Sequence, residues 1–364
     1  MKKNIIALAI ASVVAAPVAM AGAPTIYGQV SMAVDSISSD NFSNADSTAV
    51  KTDNTTGSGV QINSRTSKFG IKGSEDLGDG LTAVYKFEFE VNIDDASQLS
   101  NRNQYVGVAG GFGTVLLGRH DTPLKMAQGT DLFNYSPYGD INPMAGGLGA
   151  LGRGGELRLS NVLAYVSPSF SGVTLVGAFV PKETGNATLP LAGDITKESS
   201  LTDITSFAVM YGSKKEGLYL SGAMDSISKS AINGTNVIDQ MRLVAQYSTG
   251  GLVANVMYQD FGGSAIENTT WEGTTIGGAV AYKVGKFTPR LQIMQVDRTD
   301  NGAGVKFEDS LNYALGVDYA LGKKTTVFAE YATLDNAATD TTAAPVSFTR
   351  TETTALSVGL THKF

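Results

Sequence analysis

The feature that most constrains this chain is an alternation of apolar and other side chains that recurs along almost its whole length. In residues 311–321 one side carries Leu311, Tyr313, Leu315, Val317, Tyr319 and Leu321, and the other carries Asn312, Ala314, Gly316 and Asp318. Residues 81–91, 241–247 and 356–364 alternate in the same way. A period of two is typical of β-strands whose two faces meet different surroundings, so the sequence predicts a mainly β protein.

The alternating segments divide the chain into about sixteen predicted strands. They begin near residues 24, 60, 80, 101, 113, 156, 171, 203, 217, 237, 251, 272, 287, 309, 325 and 352. Short glycine-containing turns, at 79–80, 110–111, 171–172, 216–217, 250–251, 285 and 322, alternate with long polar connections, at 38–59, 182–202, 262–271, 299–308 and 336–350. Alternation of short and long connections indicates a sheet with two different rims.

Two folds are compatible with half-buried strands of this kind, a soluble β-sandwich and a membrane barrel. A sandwich has no reason to alternate its loop lengths, whereas a barrel places short turns on one rim and long loops on the other. An even number of strands closes the sheet and leaves no edge in the bilayer. The sequence therefore predicts an all-β fold, a 16-stranded antiparallel transmembrane β-barrel. Aromatic residues near strand ends are predicted to form its interfacial girdles: Tyr27, Tyr85, Tyr105, Tyr165, Tyr211, Tyr247, Tyr258, Tyr282 and Phe364.

The N-terminus has the features of a secretory signal peptide. Lys2 and Lys3 precede an apolar run at residues 5–16, and Ala19-Met20-Ala21 is a small-x-small cleavage site. The alternative, a membrane anchor, is disfavoured because a spanning helix needs about 20 apolar residues. We therefore predict a signal peptide at residues 1–21 and a barrel at 22–364.

Composition narrows the function further. Removing Lys2 and Lys3 leaves 25 basic against 34 acidic residues, a net charge of −9, which argues against a nucleic-acid partner. The chain has no Cys, so disulfides do not stabilise it.

The alternation stops for nearly forty residues, at 119–158. This stretch is too rich in Gly and Pro to predict a helix and lacks the alternation of a strand. A long structureless connection in a compact fold is usually functional. We predict that it folds into the barrel without forming a helix or a further strand.

Several motifs resemble those of one protein family. Residues 25–28 (TIYG) are similar to a first strand, 64–88 to the second strand, turn and third strand, and 105–119 to the fourth and fifth strands of the Gram-negative general porins. The ending His362-Lys363-Phe364 is similar to their terminal pattern, and the match is best with the branch that includes the neisserial and burkholderial porins. The resemblance implies a 16-stranded outer-membrane barrel whose third long loop, here about 120–157, folds inward and narrows the pore.

The resemblance also implies function and partners. It predicts a water-filled channel for passive diffusion of small hydrophilic solutes and ions, in a homotrimer surrounded by outer-membrane lipid and lipopolysaccharide. A substrate-selective channel on the same fold, or an adhesin or receptor acting through its long loops, remain alternatives. Phe364, a terminal aromatic residue on an alternating strand, resembles the signal read by the outer-membrane insertion machinery, although it could equally be a girdle aromatic.

Charged pore residues are carried over from the matching motifs. They are a basic wall of Lys68, Arg102, Arg119 and Arg158 facing an acidic loop with Asp121, Asp131 and Asp140. Each basic residue could instead be solvated or paired at a rim, and each Asp could bond its own backbone in a turn. Lys68 has the inward parity, Arg65 shares the outward parity of Phe69, and Lys125 and Arg153 could oppose the loop acids. The enterobacterial Pro-Glu-Phe-Gly motif is missing from this sequence, so which carboxylates face the bore stays open.

Catalysis has little support in the sequence. Its two His residues, His120 and His362, have neither a nucleophile motif nor metal-type spacing beside them. We therefore predict no enzyme activity, no cofactor and no metal site.

Overall fold

The structure is a computed structural model. It describes residues 23–44, 50–52, 58–94, 99–134, 136–145, 156–182, 199–228, 238–265, 269–270, 272–298, 305–307, 309–340 and 347–364. The predicted signal peptide at 1–21 lies outside these ranges and stays a prediction, as does the role of Arg153.

The described chain forms one antiparallel sheet of twenty strand segments. They are β1 (Thr25–Asn44), β2 (Val50–Thr52), β3 (Gly59–Ser64), β4 (Lys68–Gly78), β5 (Leu81–Glu90), β6 (Ser100–Gly110), β7 (Gly113–Asp121), β8 (Arg158–Val166), β9 (Val173–Val180), β10 (Ile204–Gly212), β11 (Gly217–Ile227), β12 (Ile238–Thr249), β13 (Leu252–Ala265), β14 (Thr269–Thr270), β15 (Gly273–Tyr282), β16 (Phe287–Arg298), β17 (Val305–Phe307), β18 (Ser310–Ala320), β19 (Thr325–Asp340) and β20 (Ser347–Lys363).

These segments form a closed barrel of sixteen strands within the described ranges. β3 and β4 together make one barrel strand, and the short segments β2, β14 and β17 belong to the long connections. The barrel closes where β1 pairs with β20, from Gln29–Lys363 to Asn44–Phe348. The predicted fold class is therefore confirmed. Fifteen of the predicted strand starts lie within two residues of the observed ones.

Several strands are longer than the sequence predicts. β1 continues to Asn44 and β19 to Asp340, although residues 38–59 and 336–350 have the composition of connections. β20 correspondingly starts at Ser347 rather than near Glu352. The reason is the ladder itself, because β1 and β19 both stay paired with β20 through these polar residues.

The two faces of the barrel are inverted relative to a soluble protein. Large apolar side chains stand exposed on the outer face, among them Val34, Leu243 and Leu356. Their neighbours on the inner face are polar and buried, as Asp35 and Ser357 illustrate. An exposed apolar band around a closed sheet is the surface that lipid requires, so the alternation found in the sequence marks outward and inward positions.

Two of the predicted girdle aromatics face inward instead. Tyr27 Oη donates to Glu88 Oε2 at 2.8 Å, and the Tyr105 ring lies 5.2 Å from the His120 ring. Both strands therefore alternate with these tyrosines on the polar side, so the girdle prediction is wrong for them. Other predicted members, Tyr165, Tyr211, Tyr247 and Tyr282, are exposed on the outer face.

The described residues of the long connection between β7 and β8 contain two short helices, α1 (Pro123–Ala127) and α2 (Ile141–Met144). The expectation that this stretch holds no helix is wrong, because local caps outweigh its composition. Thr122 Oγ1 accepts from Lys125 N with Pro123 in the first turn, and Asp140 caps α2. In the described part of the chain, no helix is long and apolar enough to cross a membrane.

Candidate functional site

Residues 122–157, here named the inner segment, join β7 to β8, and the described part of the segment (122–134, 136–145 and 156–157) lies against the polar face of the barrel. The contacts start at its first turn, where Leu124 N donates to Ser206 Oγ at 3.3 Å. The carbonyl of Ala127 then accepts from Tyr219 Oη at 2.8 Å and from Ser221 Oγ at 2.6 Å. Side chains of β10 and β11 thus bind the segment's backbone.

Further wall side chains bind the rest of the described segment. Asn255 Nδ2 donates to the Thr130 carbonyl at 3.0 Å. Gln292 Nε2 donates to the Gly139 carbonyl, and Thr275 Oγ1 to the Ala145 carbonyl, both at 2.7 Å. A non-helical backbone inside a protein must have its carbonyls satisfied, and polar residues of the inner wall do this here.

Apolar packing holds the same segment to the wall. The buried residues of this cluster include Leu124, Phe133, Ile141 and Met144 from the segment and Tyr219, Met257 and Met294 from the wall. The Arg290 guanidinium carbon lies 4.4 Å from the centre of the Phe133 ring, and its Nη1 donates to the Leu132 carbonyl at 2.5 Å. The guanidinium therefore fixes the middle of the segment through a cation–π contact and a hydrogen bond.

The strands nearest the ends of the segment carry a group of charges, here named the wall cluster: Glu88, Glu90, Arg102, Asp121 and Arg158. Arg102 lies 2.8 Å from Glu88 Oε1 and 2.8 Å from Glu90 Oε2. Arg158 Nε lies 2.9 Å from Asp121 Oδ1. The structure thus brings together three of the predicted site residues and adds two glutamates.

An irregularity in β6 makes this grouping possible. Pairing with β5 shifts between Phe87–Gln104 and Phe89–Asn101, which leaves one extra residue in β6. Such a bulge lets neighbouring side chains point to one face, and both Arg102 and Asn103 are buried. Asn103 then joins the wall cluster together, accepting from Arg158 Nε at 2.8 Å and donating to Asp121 Oδ2 at 2.9 Å.

The other two predicted wall residues differ in position. Lys68 begins β4 and stands opposite Gln29 and Glu90, and directly opposed residues share a face. Arg119 has the parity of the exposed Leu117 and donates to the Asn101 carbonyl at 3.1 Å and to Ser160 Oγ at 2.9 Å. Lys68 therefore lies on the same face of the sheet as the wall cluster. Arg119 instead contacts the two strands beside its own, β6 and β8.

Asp131 and Asp140 bond the backbone of their own segment. Asp131 accepts from Phe133 N at 2.9 Å and from Ile141 N at 3.0 Å, and Asp140 Oδ1 accepts from Asn142 N at 2.8 Å. Burial, reinforced by the nearby Asp140, raises the pKa of Asp131 well above its usual range. These contacts match the alternative of turn-forming side chains, and a pore role for either carboxylate stays a prediction.

A buried ion pair that the motifs did not indicate fixes the end of the segment. Arg242 Nη1 lies 2.8 Å from Glu156 Oε1, with the two side chains 1% and 3% exposed. Lys125 Nζ lies 3.5 Å from Glu156 Oε2. The signal for Arg242 was present in the sequence, since it alternates with the outward Met241 and Leu243 in β12.

Arg65 belongs to a second inner network, and the parity argument against it is wrong. Its Nη2 lies 2.5 Å from Asp35 Oδ1 and 3.6 Å from Glu330 Oε1. Pairing with β1 steps from Met32–Ser64 to Gln29–Lys68, so one extra residue lies between β3 and β4. The bulge includes Thr66 with a φ of 52°, and it reverses the inward parity.

The same network extends to two more strands, β16 and β18. Arg290 Nη2 lies 3.1 Å from Glu330 Oε2 and 2.9 Å from Asp318 Oδ1. Because Arg290 also holds Leu132 and Phe133, the network connects the inner segment with the strands that close the barrel.

The terminal residue lies at the closure of the barrel. Phe364 N donates to the Gly28 carbonyl at 3.1 Å, and Gly28 N donates to the Phe364 carbonyl at 3.3 Å. Its ring is about half exposed. Its role in assembly stays a prediction.

Comparison with known proteins identifies the family. Residues 7–339 match the sequence model of the Gram-negative porin family. The chain is 28% identical to the major outer membrane protein P.IB of Neisseria meningitidis serogroup B, over the full length of both. An anion-selective porin from Comamonas acidovorans has a similar fold, with a TM-score of 0.68, 22% identity, and 94% of this chain and 99% of the other covered. The trimer form of OmpT from Vibrio cholerae also has a similar fold, with a TM-score of 0.64 and 16% sequence identity. The match covers 95% of this chain and 100% of the other.

The matched residues span most of the chain, and the matching family is that of the Gram-negative porins. The closed barrel, its exposed apolar outer face and its polar interior agree with that match. The chain therefore belongs to the Gram-negative porin family and is a channel of the outer membrane.

Proposed function

We propose that the narrowest part of this channel lies between the inner segment and the wall cluster, with Lys68 beside it. The observation that carries the proposal is the ion pair between Asp121 and Arg158, which directly precede and follow the inner segment. Contacts hold the segment to the side of the barrel formed by β10–β19. The charges of β4–β8 lie on the other side of the inner wall. Water and small polar solutes then pass between the two.

The charges at this place are nearly balanced. The basic members are Lys68, Lys86, Arg102 and Arg158, and the acidic members are Glu88, Glu90 and Asp121. Charged side chains at a constriction set the ion preference of a pore. Alternating ion pairs give a field across the bore with little net charge, so we expect weak ion preference and passage of both ions and dipolar solutes.

Passive diffusion is tested against the two alternatives by electrical recording. A purified channel in a planar bilayer should give stable, ohmic conductance, which an adhesin with a plugged barrel would lack. A substrate-selective channel would show saturable block by one sugar or peptide. No saturable block across a panel of such solutes is the result expected here.

The pore position of Lys68 is tested by the reversal potential in a salt gradient. Lys68→Glu should shift the preference towards cations and change the conductance, because it reverses one charge beside Glu90. Lys323→Glu makes the same change of charge at an exposed position in the turn after β18 and serves as the control. Equal selectivity of Lys68→Glu, Lys323→Glu and the unchanged protein would show that Lys68 does not line the constriction.

We further propose that three copies assemble in the outer membrane after removal of residues 1–21. The trimer form of OmpT from Vibrio cholerae, a protein of similar fold, supports this stoichiometry. The exposed apolar outer face provides a surface for neighbouring copies, lipid and lipopolysaccharide. The mass of the purified assembly in detergent, measured by light scattering, tests the number of copies.

Recognition of the C-terminus by the outer-membrane insertion machinery is a separate proposal. Deletion of Phe364 should lower the yield of assembled channel in cells while export continues. An unchanged yield would contradict it.

We also infer that the protein acts as a channel only. Neither His120 nor His362 has a nucleophile motif or metal-type spacing beside it in the sequence. Release of product from ester or peptide substrates by the purified protein would contradict this inference.

A further inference from the structure

The turn between β10 and β11, residues 213–216, lies on the rim of short turns. Its Lys214 side chain is folded inward, so that Nζ donates to the Met126 carbonyl at 2.8 Å. The same ammonium lies 5.2 Å from the centre of the Tyr219 ring. A turn residue therefore contacts the backbone of the inner segment directly.

The backbone of this turn is bound at the same place. Gln246 Nε2 and Ser248 Oγ donate to the Lys214 carbonyl at 2.8 and 2.9 Å. Gln246 Oε1 in turn accepts from Thr130 N at 2.7 Å. The turn, β12 and residues 126–130 of the inner segment thus form one hydrogen-bonded junction.

We propose that Lys214 is a positioning residue for the pore, which holds residues 126–130 of the inner segment against the wall from the opposite rim. This rests on the proposed function, in which the inner segment sets the narrowest part of the bore. Transient release of the junction lets these residues move into the bore, so the channel shows brief closures whose frequency depends on Lys214.

The environment of the ammonium gives the junction a particular pH dependence. Burial lowers the pKa of Lys214 to about 8, and attraction to Glu156 offsets part of this effect. Tyr219 on β11 lies beside it, Lys215 and Glu216 follow it on its own turn, and Lys125 of α1 directly precedes the Met126 that it contacts. Lys214 carries an exposed-lysine pKa of about 10.4 once released into water.

The sign of the effect follows from these two values. A group whose pKa is lowered in the closed junction binds a proton more readily when the junction opens. The intact junction, and with it the conducting channel, is therefore favoured as pH rises from about 8 towards 10.4. Release of the junction, which closes the channel, is favoured as pH falls. With these pKa values, the opening equilibrium rises roughly tenfold between pH 9 and pH 7 and changes little below that.

The test records single channels of the full protein in planar bilayers at pH 7, 8 and 9. The unchanged protein should spend a roughly tenfold larger fraction of its time closed at pH 7 than at pH 9. Lys214→Met keeps the length of the stem but removes the ammonium, so it should flatten the pH profile and raise the fraction of time closed at pH 9. Lys214→Arg keeps a charged donor at every pH and should flatten the profile as well.

The control is Lys215→Met, which removes the neighbouring exposed lysine and should keep the pH profile. A second measurement uses the absence of Cys from the sequence. Met126→Cys places one thiol on the segment, and the Lys214 bond uses only the Met126 main chain. A water-soluble thiol reagent then measures how accessible this thiol is at each pH. Labelling should be faster at pH 7 than at pH 9, and Lys214→Met should make it faster at pH 9.

The outcomes separate this inference from the proposed function. A pH profile and labelling rate left intact by Lys214→Met would overturn the positioning role while leaving a conducting porin. Loss of all conductance in the unchanged protein would instead contradict the proposed function. If Lys214→Met failed to assemble, Lys214→Arg still decides, because an intact pH profile in that variant would overturn the inference.

Discussion

Asp121 and Arg158 are cross-strand partners, and Arg158 Nε lies 2.9 Å from Asp121 Oδ1. Asp121 is the last residue of β7 and Arg158 the first of β8, so this pair joins both ends of the inner segment. Asn103 bonds both side chains from the neighbouring strand. The contact that joins the two ends of the segment thus holds one charge of each sign side by side, and in the proposed function both charges face the bore.

Arg158→Ala should make the channel more cation-preferring, because it removes the positive member of this pair and leaves the Asp121 carboxylate facing the bore. The reversal potential in a salt gradient measures the change. Arg158→Lys keeps the charge but cannot make the same planar contacts, so it should retain most of the selectivity. A preference unchanged in Arg158→Ala would place the pair outside the ion path.

Glu156→Ala should destabilise the barrel strongly. It removes the Glu156 carboxylate from the buried Arg242 guanidinium, which also bonds Gln259. Loss of one partner of a buried ion pair costs about 3–5 kcal/mol, whereas replacing both by apolar groups is often far less costly. The double variant Glu156→Leu with Arg242→Met should therefore denature at a higher temperature than Glu156→Ala. The mobility of heated and unheated barrel on a detergent gel follows the transition.

The strands can be predicted from the sequence because alternation reports a difference between lipid and water at each position. The alternation fails where the ladder contains an extra residue. Nothing in the local sequence marks the bulge at Thr66, and this is why parity places Arg65 on the wrong face. The bulge beside Arg102 cannot be recognised from the local sequence either, because it consists of a register shift relative to another strand.

The site is predictable only in part, for a related reason. The inward parity of Arg242 is readable from its apolar neighbours, but its partner Glu156 lies at the end of a segment without any period. Asp131 and Asp140 are recognisable as acidic loop residues, yet their backbone contacts depend on a path that tertiary packing decides. Composition also underrates the two short helices, since single caps at Thr122 and Asp140 are enough to start them.

Asp131→Asn should change the stability of the barrel in a pH-dependent way. The raised pKa means that the protonated carboxyl is favoured in the folded protein. Its stabilising contribution is fully present below the ordinary carboxyl pKa of about 3.9 and is lost as pH rises through the raised value. Asn carries no charge at any pH, so the variant should be less stable than the unchanged protein at pH 4, with a smaller deficit at pH 8.

The same heated-gel transition, measured at both pH values, tests this prediction. Asp309→Asn removes an exposed carboxylate and serves as the matched control. An equal deficit of Asp131→Asn at pH 4 and pH 8 would mean that this carboxyl takes up no extra proton on folding.

Gly28→Ala should impair closure of the barrel. A Cβ at this position would clash with the Phe364 ring and would lie 2.5 Å from the Lys68 carbonyl oxygen. The ring could turn away, but the carbonyl belongs to the backbone of β4 and cannot move without disturbing the ladder with β1. The strain therefore falls on the strand that joins the two ends of the sheet. We expect a lower yield of folded barrel and a lower denaturation temperature.

Gly111→Ala, in a short turn with open space around it, is the control and should fold normally. Normal folding of Gly28→Ala would show that β1 and β4 can separate enough to accept a methyl group.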